Sequence, residues 1–375
     1  MPEGGSHLPI GMAVPLSPPP SLPNPSHPIS TSRPLSEMKI ALDAMGGDFA
    51  PENPVAGAVL ALREYPEISL ILVGDEARVK AELAKHDVKG LETRFEIRHA
   101  SQVVEMTDSP IDSVRRKRDS SISRGVDLVK EGVAEAVVSA GHTGAAVAAA
   151  VIKLRTLPGI ERPGIATVLP TETNLFVLMD AGANIDATPR HLVDYAIMGS
   201  IYSRQVLGFE NPRVGLMSIG TEDAKGNELT KETFNLIASC GVNFKGNVEG
   251  HDLFENPVEV VVCDGFVGNV VLKTSESLAN AIFHWLKTEL MRSKWRMFGA
   301  WLARGAFKAI KKKTNYEEYG GSPLLGINGI CIIAHGSSTP KAVKNAIRVA
   351  KEAIENRINP AIIEHVAKLR PESAA

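Results

Sequence analysis

KIALDAMGGDFAP, residues 39–51, opens with an aliphatic run that stops at Asp43, turns through Gly46 and Gly47 with Asp48 behind them, and reaches a proline. A short apolar run broken by paired glycines and followed by a helical pattern reads as a strand, a tight turn and a helix. Six further segments repeat that grammar: ISLILVGD (68–75), EAVVSAG (135–141), LFVLMDAG (175–182), RVGLMSIG (213–220), VEVVVCDG (258–265) and GICIIAHG (329–336). Most are apolar at successive positions, so both faces need cover, which a sheet with helices on both sides supplies. The expected fold class is α/β, a doubly wound, mostly parallel sheet with helices on both faces. Ligands of such sheets sit beyond the carboxyl ends of the strands. Function is therefore sought in DAMGGD, VGDE, SAGHTGA, DAGAN, SIGTEDAKGNE, CDGFVGN and AHGSS.

A chain of 375 residues, 44% apolar and 22% charged, can bury a large core. Its net charge of −2 argues against a general nucleic-acid binder. Cys240, Cys263 and Cys331 lie far apart without metal-ligand spacing, so neither a disulfide framework nor a zinc site is expected, and no metal or cofactor is called for. No apolar run is long enough to cross a bilayer. Residues 1–37 are dense in Pro and Ser, lack the apolar region of a secretion signal, and read as a disordered extension ahead of Met38, itself a candidate natural start. The ordered domain is expected over 38–365 and a flexible tail over 366–375. GxGxxG after the first strand, GxxxxGK[ST], GxSxG and HExxH are all missing, which weakens nicotinamide, P-loop, serine-hydrolase and zinc-protease readings.

Several motifs admit two readings. SAGHTGA (139–145) leads from a strand into a small-residue helix, whose first amides hold an anion or whose alanines merely pack closely. In SIGTEDAKGNELTKE (218–232), Lys225 is either a phosphate-binding point charge or a solvated loop lysine. Asn269 in CDGFVGN (263–269) is a polar head at a helix start or an ordinary N-cap. VRRKRDSS (114–121) gathers Arg115, Arg116, Lys117 and Arg118 as a docking surface for an acidic partner or a solvated face. All three tryptophans fall in 285–313. Read as one protruding amphipathic helix, this stretch sets Leu290, Met291, Trp295, Phe298, Trp301 and Leu302 on one face and Arg292, Arg296 and Arg304 on the other. Lys294 would snorkel out of the apolar face. The pattern fits a segment on an anionic membrane surface, a dimer interface, or both.

Taken in order, DAMGGD, RRKRDSS, SAGHTGA, DAGAN, GTEDAKGNELTKETF and CDGFVGNVVLKT resemble the acyl-acyl carrier protein:phosphate acyltransferases, the PlsX family of bacterial phospholipid synthesis. The likeness covers about residues 38–365. It implies transfer of a long-chain fatty acyl group from the acyl carrier protein thioester to inorganic phosphate, giving acyl phosphate. It also implies a Rossmann-like homodimer of the phosphotransacetylase and isocitrate dehydrogenase kind, cytoplasmic and partly held at the inner face of the cell membrane. There the product would feed an integral membrane acyl-phosphate:glycerol-3-phosphate acyltransferase of the PlsY type.

By the same resemblance the functional lysine and asparagine fall on Lys225 and Asn269. Gly141, His142, Thr143 and Gly144 become candidate phosphate contacts, with Asn184 and His335 on the substrate side. Asp43 and Asp48 are expected behind Gly46 and Gly47, capping the helix near Pro51 or orienting a lysine. Many relatives carry Asn where His142 stands, so an amide can replace it. Two alternatives remain at this point: a coenzyme A-dependent phosphate acetyl- or butyryltransferase, and a noncatalytic scaffold on a membrane surface.

Overall fold

The computed structural model describes residues 38–314 and 316–369. Strand and helix alternate through β1 (Met38–Asp43), α1 (Glu52–Glu64), β2 (Ile68–Gly74), α2 (Glu76–Leu83), β3 (Phe95–His99), α3 (Pro110–Arg116), α4 (Ser121–Lys130), β4 (Ala136–Ser139) and α5 (Thr143–Leu154). The chain continues through β5 (Gly164–Ile165), β6 (Thr167–Pro170), β7 (Leu175–Met179), α6 (Pro189–Gln205), β8 (Arg213–Met217), α7 (Glu228–Ser239), β9 (Asn243–Val248) and β10 (Val260–Val262). Three helices follow, α8 (Gly265–Leu290), α9 (Lys294–Leu302) and α10 (Arg304–Thr314). It closes with β11 (Ser322–Leu325), β12 (Ile330–Ile333), α11 (Pro340–Glu355) and α12 (Ile358–Leu369).

All seven quoted apolar runs form strands, but in two sheets. One has the order β3-β2-β1-β4-β12-β11-β5, the other β6-β7-β10-β8-β9. β3, β2, β1, β4 and β12 are parallel, as are β7, β10, β8 and β9. Only Ala166 separates β5 in the first sheet from β6 in the second. Side chains of β1 and β2 alternate between two cores. Ile40, Leu42, Leu70 and Leu72 pack under α1 and α11, while Ala41, Ile71 and Val73 pack under α4 and α5. The second sheet packs Val177, Val214 and Val260 against α6 and α12, and Phe176, Leu178 and Val261 on its other side. Strands buried on both faces account for the uninterrupted apolar runs.

Two boundaries differ from expectation. The last helix runs through Leu369, with Val366 buried in the core, so the ordered domain continues past 365. Residues 1–37 and 370–375 lie outside the described residues. The stretch 285–313 is not one helix: α8 ends at Leu290, and the Ser293 hydroxyl starts α9 by accepting the Arg296 N–H at 3.2 Å.

Candidate active site

In the seven-stranded sheet, β1, β4 and β12 are level neighbours, with Leu42 opposite Val138 and Val138 opposite Ile332. DAMGGD, SAGHTGA and AHGSS therefore leave the sheet side by side. Asp43 ends β1 fully buried and organises them. Its Oδ2 accepts the Ser139 hydroxyl at 2.7 Å, its Oδ1 accepts the Met45 N–H at 3.2 Å, and Ser139 Oγ accepts the Gly141 N–H at 3.1 Å. Burial pushes the Asp43 carboxyl above its ordinary value, against the pull of these donors. A Cβ at Gly46 would lie 2.6 Å from Asp43 Oδ2, so that approach admits only glycine. Gly47 has φ +106°, and the Asp48 N–H donates to the Gly336 carbonyl at 2.8 Å, which ties the first loop to the third.

Asp43 is thus buried beneath the loops, with its two oxygens bonded to Ser139 and Met45. Asp48 has an exposed side chain, and α1 begins at Pro51 without a side-chain cap, contrary to the expected capping role. The Gly141 N–H is already committed to Ser139, which leaves the anion-holding part of SAGHTGA to the start of α5. There His142 is the N-cap, its Nδ1 accepting the Ala145 N–H at 3.3 Å. A neutral His142 ring then carries its proton on Nε2. The N–H groups of Thr143 and Gly144 open α5 at the positive end of its dipole. His335 is exposed and its Nδ1 contacts Ser337 Oγ at 2.8 Å within its own turn.

The five-stranded sheet repeats the device. Met179, Val262 and Leu216 are level across β7, β10 and β8, so DAGAN, CDGFVGN and SIGTEDAKGNE emerge together. Asp180 is fully buried and accepts the N–H groups of Ile165, Gly182 and Ala183 on Oδ1 and of Asn184 on Oδ2, at 2.7–3.1 Å. Burial raises its carboxyl too, outweighing those four donors. The Asn184 side-chain amide donates to the Pro163 carbonyl at 2.6 Å and the Tyr195 hydroxyl at 2.7 Å, so its Nδ2 holds the loop and is not available to a substrate.

Helix α8 is seated on this loop by glycines. A Cβ at Gly265 would stand 2.6 Å from the Asn184 carbonyl oxygen, and one at Gly268 only 1.9 Å from the Asp180 carbonyl oxygen. Its N-cap is Asp264, whose Oδ1 accepts the Val267 N–H at 2.9 Å. Asn269, left open as a cap, lies in the second turn instead. Its side chain is exposed beside Gly182 and makes no hydrogen bond among the described residues. Across β10, Lys225 is exposed on its turn over Gly220, where a Cβ would lie 2.8 Å from Lys225 Cγ. That turn is pinned by Asn247, whose Nδ2 donates to the Glu222 carbonyl at 2.8 Å, and Glu222 in turn accepts the Lys225 N–H.

The two loop groups share one core. Ala181, Ala183 and Leu272 pack in the same cluster as Ala146, Ala149 and Ala150 of α5. An exposed ammonium and an exposed carboxamide, each on a braced element, thus stand at level strand ends in one sheet, and a helix N-terminus at those of the other. Such a set can hold an anion and donate to a developing oxyanion. Ser139, Asp180 and Asn247 escaped the sequence reading. For Asp180 the signal was present, an acid closing an apolar strand just ahead of Gly182, Ala183 and Asn184, whose amides reach it.

Elsewhere, Lys117 is not free for docking: its Nζ binds Asp108 Oδ2 at 2.5 Å and the Val103 carbonyl at 2.9 Å. Arg115, Arg116 and Arg118 are exposed. On the arm beyond the site, Trp295 is 83% exposed, Trp301 57% and Leu302 64%. Phe298 stacks on Trp301 at 6.0 Å, and the Arg304 guanidinium lies 5.0 Å from the Trp301 ring. Leu290, the last residue of α8, is half-buried and lines a groove with residues of α9 and α10. Cys263 and Cys331 are buried thiols, pushed up by desolvation, Cys331 to about 12, which removes both as nucleophiles.

Architecture and strand-end loops define the α/β fold of phosphotransacetylases. The chain is similar to a phosphotransacetylase from Streptococcus pyogenes, with a TM-score of 0.59 and 20% identity over 85% of this chain and 94% of that one. It is likewise similar to the EutD phosphotransacetylase from Staphylococcus aureus, with a TM-score of 0.53 and 16% identity over 84% and 94%. The likeness to these structures is one of fold. The chain belongs to the family described as fatty acid synthesis protein, whose model matches residues 38–360. It is 53% identical over 321 residues to the phosphate acyltransferase of Pelotomaculum thermopropionicum, covering 86% of this chain and 93% of that one. To the phosphate acyltransferase of Geobacter sulfurreducens it is 51% identical over 327 residues, covering 87% and 94%. The resemblance carried by the motifs is borne out.

Proposed function

We propose that this chain transfers a long-chain fatty acyl group from an acyl carrier protein thioester to inorganic phosphate. The observation that carries the reading is the pairing of Lys225 and Asn269, both exposed, on adjacent strand ends of a family whose members are named phosphate acyltransferases. Phosphate is already an anionic nucleophile at neutral pH, so the site must position it more than deprotonate it. Lys225 offsets its charge, and the Thr143 and Gly144 amides receive its oxygens. One phosphate oxygen attacks the thioester carbonyl, the new C–O bond forms as the C–S bond breaks, and the sulfur leaves as the carrier's thiolate. Asn269 Nδ2 donates to the carbonyl oxygen as it gains charge. Asp43 and Asp180 act from below by fixing the loops.

In this reading Arg115, Arg116 and Arg118 offer an acidic carrier protein a docking surface. The aromatic face of α9 rests on an anionic membrane or on a second copy in a homodimer, and places acyl phosphate near an integral membrane acyltransferase that consumes it. The phosphotransacetylase fold also supports a coenzyme A-dependent short-chain reaction. Against it stands an exposed aromatic arm for which a soluble thioester gives no reason.

The test incubates purified protein with long-chain acyl carrier protein and phosphate, and traps acyl phosphate with hydroxylamine. Formation of the acyl hydroxamate is expected. Turnover with acetyl-coenzyme A and none with the carrier substrate would transfer the reading to the short-chain reaction.

A further inference from the structure

The outer end of α8 with α9 and α10 lines an open groove of about 500 Å³. Phe283, Leu286 and Leu290 wall it from α8, Met297 and Ala300 from α9, and Phe307 from α10. The chain breaks at 291–293, and residues on both sides of the break line the groove together. Its size falls within the roughly 300–1,000 Å³ of small-molecule sites. Three further lining residues are Lys287, Lys308 and Lys311.

The charges around the groove are not evenly used. Residues 285–314 carry nine Lys and Arg against one acid, Glu289. Glu289 is taken by Arg292 at 3.0 Å and Arg296 at 2.9 Å. Lys287, Lys308 and Lys311 have no ion pair among the described residues. Apolar walls lined also by three lysines that have no ion pair among the described residues match a single-chain amphiphile with an anionic head. A second copy of this chain would have to bring acids to the lysines, and a flat bilayer would not fill a groove.

We infer that the groove holds the acyl phosphate product, its alkyl chain between the three helices and its phosphate on Lys287, Lys308 and Lys311. This rests on the proposed acyl transfer, and concerns a place distinct from the reacting centre. Asn269 and Phe283 are fourteen residues apart on α8, about 21 Å at 1.5 Å per residue. The groove is therefore a station reached after release. It keeps a hydrolysable mixed anhydride and its apolar chain out of water beside the aromatic face of α9.

The test titrates the full chain with alkylphosphonates of eight to fourteen carbons, below their micelle concentrations and without vesicles. All three tryptophans, Trp285, Trp295 and Trp301, lie on the arm and report binding by fluorescence. Saturable binding of one ligand per chain is expected, tightening up to about fourfold per added methylene until the groove is full. Ala300→Trp, which fills the groove, and the exposed double change Lys308→Glu with Lys311→Glu should each weaken it at least about tenfold. Binding that either variant leaves at the wild-type level would overturn the inference. So would binding that needs vesicles, which assigns the arm to the bilayer alone, or binding that rises on dilution, which assigns the groove to a second copy. Acyl phosphate formation by the wild-type protein is measured separately. Its absence would remove the product assignment together with the proposed function, whereas normal formation without phosphonate binding would remove the groove alone.

Discussion

The strand-end loops and the arm differ in what surrounds each residue. A Cβ at Gly268 would meet the Asp180 carbonyl oxygen at 1.9 Å and one at Gly46 would meet Asp43 Oδ2 at 2.6 Å, whereas one at Gly299 in α9 or Gly305 in α10 would meet nothing within 4 Å beyond its own helix backbone and chain neighbours. Neither α9 nor α10 contains a buried residue, although Trp295, Phe298, Trp301 and Leu302 are all there. In the loops, the glycines and the buried acids are dictated by contacts inside the chain. On the arm, the large apolar side chains stay exposed even where Phe298 and Trp301 stack on one another, so that face answers to a surface outside the described residues.

The sharpest way to break that contrast is Gly268→Ala. The colliding atom belongs to backbone already fixed by Asp180 and its four N–H partners, so it cannot turn aside as a flexible side chain would. Overpacking of this kind costs about 3 kcal/mol or more, at the upper end of its range. A urea midpoint well below that of the wild type is expected, with loss of acyl phosphate formation because α8 carries Asn269. An unchanged midpoint would mean that α8 does not rest on the Asp180 loop.

The next residue behaves oppositely. Asn269→Ala removes an exposed amide without hydrogen bonds among the described residues, so the urea midpoint should stay put. Turnover should fall about 10²- to 10³-fold, the usual loss on deleting an oxyanion donor. Lys225→Ala should likewise lower turnover without moving the midpoint, chiefly by raising the KM for phosphate. Near-normal rates in both variants would take these residues off the catalytic list and leave α8 a structural helix only.

That adjacent residues divide so cleanly bears on what the sequence could tell. Runs such as ISLILVG and VEVVV announce strands covered on both faces, because each face finds its own core in the fold. They do not say which strand lies beside which, so one expected sheet is two. β3 and β9 were not foreseen, being edge strands with partly exposed, mixed residues such as FEIRH and NFKGNV. Lys225 and Asn269 were legible as polar heads in glycine-rich turns. Their supports were not, since Asn247 reaches the Glu222 turn from another strand, a distance in sequence that no local pattern spans. Lys117 looked like its neighbours in RRKR, and only the folded loop reveals its bond to Asp108.

On the arm, Trp295→Ser with Trp301→Ser should leave the urea midpoint within about 0.5 kcal/mol of stability, as exposed substitutions do. Cosedimentation with anionic vesicles should fall severalfold, since two aromatic anchors and the Arg304 contact to Trp301 are lost. Unchanged cosedimentation with a weakened dimer in sedimentation equilibrium would assign the face to a second copy. The contrast would survive, with the outside surface being protein.

Gly299→Ala asks the smallest question. Within α9 glycine costs about 1 kcal/mol relative to alanine, and the added methyl meets nothing. Because no residue of α9 is buried, its helix should open without unfolding the body, so the gain stays local. Amide exchange within 294–302 should slow about fivefold while the global midpoint is unchanged. A drop in vesicle cosedimentation in the same variant would overturn this account of Gly299. The empty space beside it would then be filled in the working assembly, with glycine there for the reason it stands at Gly268, to let another surface come close.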